Sequence, residues 1–188
     1  MFNIELTTQF AAYILYKRGG LMHYQKLMKL MYLTEQQYLL KYGEYLTGDK
    51  FVSMNNGPVL SGTYSLLKDG AEIWDHWIKG EEDWQVSLKV KDIDPNDPLE
   101  TFDLLSPAII KVIDSVYEKY GHFNHWDLCD LIRTPEVCPE WKNPHGSALP
   151  IQYEDILRSN GVDPERTKAI IARIKELESL QSSSETME

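Results

Sequence analysis

The chain has 188 residues, 43% of them hydrophobic and 26% charged, with a net charge of −10; this is the balance and size of one soluble globular domain. No apolar run approaches the ~20 residues that cross a bilayer, and an acidic surplus disfavours DNA binding, which needs a basic face. Two cysteines, Cys129 and Cys138, are too few for a disulfide framework.

The charge is uneven: residues 1–68 carry a net +3, residues 69–103 a net −8 and residues 104–188 a net −5. The acidic middle block suits a solvated loop or the steering of a basic partner. The opening Met1-Phe2-Asn3-Ile4-Glu5 lacks a basic start and a small-residue cleavage site, so a cytoplasmic protein is expected.

In chain order, a first helix is expected from about Thr7 to Arg18, capped by Thr7 or Thr8 and stopped by Gly19-Gly20. A second, Tyr24 to Tyr42, is apolar on most sides (Leu27, Met28, Leu30, Met31, Leu33, Leu39) and belongs in the middle of a domain. Asp49 to Met54 reads as a strand, and Asn55-Asn56-Gly57-Pro58 turns the chain. Pro58 then suits the first position of a third helix running to Lys68. Ile73 to Ile78 fits a strand or a short helix. Trp84, Val86, Leu88 and Val90 alternate with polar residues, as on a half-buried strand. Ser106-Pro107 opens a fourth helix to Tyr120, and a fifth spans Asn124 to Arg133. Thr134 to Leu149 is an irregular loop that Trp141 can pin to the core. Two last helices cover Gln152 to Asn160 and Asp163 to Leu180, before a polar acidic tail, 181–188, expected to be disordered. The sum is one α+β domain, 1–180, predominantly helical, with six to seven helices. A small antiparallel sheet is inserted after the second and third of them.

Chemistry-bearing residues are sparse. His122, His125, Cys129, Cys138 and His145 form the one enzyme-like set, and His125 and Cys129 share a helix face. The set lacks the paired CxxC spacing of a zinc motif, and nothing in the sequence lowers a thiol pKa. There is no GxSxG, GxxxxGK or HExxH. No catalysis and no cofactor are expected. The Asn56-Gly57-Pro58 turn either redirects the chain or offers backbone N–H groups to a phosphate or a partner's carboxylate. On the second helix, Tyr32 lies off the main apolar face. With Lys26 and Lys29 it can form an amphipathic contact patch.

Gln25-Lys26-Leu27-Met28-Lys29-Leu30-Met31-Tyr32-Leu33, then Tyr42-Gly43 and Gly57-Pro58-Val59 followed by Tyr64, resembles the opening of the Panacea domain, the SocA-like antitoxin family. Pro139-Glu140-Trp141-Lys142, Pro144, Gly146-Ser147, Ile151 and Tyr153 to Leu157 resemble one branch of it, in the same order. The resemblance covers roughly residues 5–160. It implies an antitoxin without catalytic residues that neutralises a protein toxin, usually encoded beside it, by direct binding. One member of the family resembles a proteolysis adaptor, so a protease adaptor or DNA-associated regulator is the alternative, with a metal-dependent hydrolase third. Lys26, Lys29, Tyr32, Asn56, Gly57 and Pro58 are the candidate partner-binding residues. Several of these motif residues equally suit upkeep of the fold.

Overall fold

The computed structural model describes residues 1–185, with side chains through residue 180. Helix α1 (Ile4–Arg18) starts earlier than the threonines suggest: Asn3 Oδ1 accepts the Leu6 N–H at 2.9 Å. Thr7 and Thr8 lie inside the helix, their hydroxyls donating to the carbonyls of Asn3 and Ile4. Two positive-φ residues, Gly19 and Gly20, reverse the chain into a strand too short to show in the sequence, β1 (Leu21–His23). Helix α2 (Tyr24–Tyr42) follows at once, capped by His23, whose Nδ1 accepts the Gln25 N–H, and closed by Gly43 in the left-handed conformation.

Strand β2 (Phe51–Ser53) is shorter than expected, and the proline turn leads first into β3 (Val59–Leu60). Helix α3 (Ser61–Asp69) therefore begins three residues after Pro58. Leu60 cannot cap it. Asp49 does so from a distance, its carboxylate accepting the N–H groups of Gly62 at 2.6 Å and Thr63 at 2.7 Å and the Thr63 hydroxyl at 2.8 Å. Ile73 to Ile78 proves to be both alternatives, α4 (Glu72–Trp77) passing directly into β4 (Ile78–Gly80). The alternating segment forms β5 (Gln85–Leu88). Helices α5 (Pro107–Tyr120) and α6 (His125–Leu131) start on the caps Ser106 and Asn124. The long loop after α6 ends in β6 (Leu149–Ile151), ahead of α7 (Tyr153–Ser159) and α8 (Pro164–Glu185). The final helix continues beyond Leu180, and residues 186–188 of the expected acidic tail lie outside the described residues.

The protein is α+β and predominantly helical, with eight α-helices among the described residues. The small sheet is in fact two antiparallel sheets of three strands, ordered β1–β5–β4 and β3–β2–β6. Both are assembled from segments far apart in sequence. Val86 pairs with Met22, and Phe51 with both Leu60 and Ile151. Helix α2 runs through the middle, packed on α1, α5, α6 and α7. Its apolar residues join Phe10, Phe102, Ile113, Leu128 and Leu157 in one buried cluster. No described helix is long and apolar enough to cross a membrane.

Candidate partner-binding face

The central helix carries polar residues three or four apart, Lys26, Lys29, Tyr32, Glu35 and Gln36, and all of them are buried. Such residues enter a core only with partners. Their partners come from four outlying segments. Lys26 Nζ donates to the Gly121 carbonyl at the end of α5 at 2.6 Å, and Lys29 Nζ to the Pro58 carbonyl at 3.0 Å. Tyr32 donates to Glu140 Oε1 at 2.7 Å in the loop after α6. Gln36 donates to the same oxygen at 2.8 Å and to the Val137 carbonyl at 3.1 Å. Glu35 accepts the N–H groups of Leu46 and Thr47 and the Thr47 hydroxyl. Asn160 holds the other Glu140 oxygen. No buried side-chain N or O atom among the described residues lacks a partner.

These charged groups are satisfied by neutral dipoles. Among the described residues, no ion pair involves Lys26, Lys29, Glu35, Asp49 or Glu140. Burial pushes the Lys29 ammonium down to about 8 and lowers Lys26 as well. It pushes the Glu35 carboxyl up to about 7, although the donors from Thr47 and Leu46 pull the other way. Tyr32 is raised well above its usual value by burial and then by Glu140 beside it. The stripe ties loops to the core.

The expected contact patch is therefore not at the surface. Tyr32 is fully buried and Lys29 is 1% exposed; Tyr32 turns inward because Glu140 waits there for its hydroxyl, its ring edge-on to Phe51. Gly57 and Pro58 are also buried, and Asn56 alone of the six candidates is exposed. The proline turn redirects the chain. It opens no helix N-terminus, since α3 starts later and Asp49 already fills its first turn. Gly57 sits at φ +95°, and a Cβ there would lie 2.6 Å from Ile132 on the segment leaving α6, so only glycine fits. Trp141 does pin its loop, through Nε1 to the Met54 carbonyl at 3.0 Å.

The His/Cys set is scattered. Cys129 and Cys138 are buried, and burial raises both thiols, so neither is activated. His122 and His145 are exposed, and His125 stacks on His23. Among the described residues no group of three His, Cys, Asp or Glu is placed to hold a metal ion.

What the sequence did not reveal is an aromatic face at the amino end of α2. Five rings run in contact across it. Trp84 lies 5.9 Å from Tyr24, Tyr24 5.3 Å from His23, and His23 3.7 Å from His125 at 4° between planes; His125 lies 4.7 Å from Trp126. The two ends are open: Trp84 is 74% exposed and Trp126 65%. Trp84 does not continue the alternation of β5. It precedes the strand at φ +60°, after Asp83 at φ +53°, which turns the indole outward while Val86 goes in. Its carbonyl accepts the Tyr24 N–H at 2.9 Å, satisfying the first free donor of α2 and tying the hairpin to the helix. Two clefts adjoin the face. One of about 340 Å³ lies between α3 and the β4–β5 hairpin, walled by Tyr24, Tyr64 and Trp84. The other, about 260 Å³, shares Tyr24 and Tyr64 and reaches Asn55, Asn56 and Gly146. Trp84 is thus a large apolar side chain held outward by a left-handed backbone. No local signal marks the face, because it is gathered from three separate segments.

No curated protein and no solved structure matches the chain. A family model described as "Antitoxin SocA-like, Panacea domain" matches residues 27–142, more than half of the sequence. The matched stretch begins inside α2 and ends just after Glu140 and Trp141. It thus takes in most of the polar stripe and the segments the stripe holds, together with Trp84, His125 and Trp126. The chain belongs to the SocA-like antitoxin family, and its matched segment is the Panacea domain.

Proposed function

We propose that the protein is the antitoxin of a toxin–antitoxin pair and neutralises a protein toxin by binding it directly through the aromatic face at the amino end of α2. The observation that carries this reading is the run of rings from Trp84 to Trp126 with an exposed tryptophan at each end. Tryptophan and tyrosine anchors of this kind supply most of the energy of protein–protein contacts. Family membership supplies the antitoxin role. The buried thiols and the fully engaged polar stripe fit a protein that acts by holding another. The partner is expected to be encoded by an adjacent gene and to meet this chain in the cytoplasm.

The test is co-expression with the adjacent gene product. That product alone is expected to arrest growth. The pair should grow and co-purify as a complex burying at least about 1,000 Å². A harmless neighbour that leaves no complex on purification would refute the reading.

A further inference from the structure

We propose that the cleft between α3 and the β4–β5 hairpin is a docking site for an arginine side chain presented by an extended segment of the partner. This rests on the reading of the neighbouring aromatic face as partner-binding and names the chemistry it would recognise there. Tyr24, Tyr64 and Trp84 wall the cleft, and Val86, Leu67 and Glu81 also line it. The Trp84 and Tyr24 rings both line the cleft and are inclined at 45° to one another. A guanidinium is the cation that suits such walls. It is planar and weakly hydrated, and it stacks on aromatic faces while its N–H groups bond carboxylates side-on.

Charge points the same way. The turn that carries Trp84 is Glu81-Glu82-Asp83, all exposed, within the stretch 69–103 of net charge −8. Glu81 is held by Lys79 and by the Ser87 hydroxyl at 2.7 Å, whereas Glu82 and Asp83 form no ion pair among the described residues. Lys68, from α3, is the one cation lining the cleft among the described residues, and its repulsion leaves the hairpin side as the place for a second cation. Gly80 leaves that side open, since a Cβ added there would meet nothing within 4 Å.

The probe is N-acetyl-arginine N-methylamide, with the norleucine analogue as its uncharged control, titrated into the isotopically labelled full chain by NMR. Arginine is expected to move the Trp84 indole resonance and the amides of Gly80 and Tyr64 saturably, and norleucine is not. Trp84→Ala, and separately Glu82→Gln with Asp83→Asn, should each weaken binding about fivefold. The second variant alters exposed charge only, so it decides the matter if the first unfolds. Equal response to norleucine, shifts scattered over the surface, or unchanged binding in the charge variant would overturn the proposal. Failure separates cleanly from that of the antitoxin reading. A toxin complex that Trp84→Ala weakens but that forms equally well with the charge variant removes the arginine site and leaves the antitoxin. Arginine binding in the cleft with no toxin complex does the reverse.

Discussion

Tyr32 and Trp84 mark opposite uses of an aromatic residue in this protein. Tyr32 is fully buried, and its hydroxyl donates to Glu140, a carboxylate that forms no ion pair among the described residues. Removing that donor leaves a buried charge under-solvated, which costs more than the bond itself contributes. Tyr32→Phe is therefore expected to destabilise the fold by about 1–3 kcal/mol in denaturant unfolding, with partner affinity unchanged. Trp84 should behave the other way round. Being 74% exposed, it adds little to the core, so Trp84→Ala is expected to alter stability by no more than about 0.5 kcal/mol. Its loss from the face should weaken the partner complex at least about tenfold, or about 1.4 kcal/mol. Trp84→Gly removes the left-handed strain at φ +60° and is expected to be at least as stable as the parent while binding no better than the alanine variant. Calorimetric titration of the complex beside unfolding curves checks both pairs.

At the scale of elements, the organisation turns on α2. Its apolar residues made it legible as a central helix from Tyr24 to Tyr42, and those are its observed limits. The polar stripe was harder to read, because lysine, glutamate and tyrosine usually report a surface. The clue lay in their spacing, three or four apart on a helix already apolar nearly all round, where no side is left for solvent. Strands β1 and β3, of three and two residues, were beyond any period-two pattern. Helix α3 began late because its cap is Asp49, twelve positions before the first residue of the helix and invisible to a local capping rule. Asp49→Ala should release three hydrogen bonds at that helix start at once. It is expected to cost about 2 kcal/mol or more and to raise amide exchange first in Ser61–Asp69, measured by mass spectrometry. Equal exchange across the whole chain would count against Asp49 as the cap.

For the whole molecule, two titrations, of half-buried His23 and buried Glu35, oppose each other in the mildly acidic range. Burial, with His125 stacked against it, lowers His23 below its usual 6.5, and its Nδ1 must stay unprotonated to accept the Gln25 N–H. The unfolded ring takes up its proton first, so this contribution is present above 6.5 and is lost as the pH falls below it. Glu35 runs the opposite way. Its folded carboxyl binds a proton at about 7 against an ordinary 4.5, so its contribution is present below 4.5 and is lost as the pH rises through that window. Replacing His23 with asparagine keeps a capping acceptor and removes one of the two terms. His23→Asn is expected to lose less melting temperature than the parent between about pH 7 and pH 5; an identical pH profile would show that His23 carries no such linkage.

The same scale holds the division of labour proposed for this protein: motif residues inside hold the loops, and rings outside are proposed to hold the toxin. The most direct measurement is hydrogen–deuterium exchange of the chain alone and in complex with the adjacent gene product. Protection is predicted in Leu21–Gln25, in the hairpin turn Glu81–Val86 and at the start of α6 around His125 and Trp126, with little change around Glu140 or the Asn55–Pro58 turn. Protection confined to other surfaces, with these three segments exchanging as in the free chain, would contradict the account.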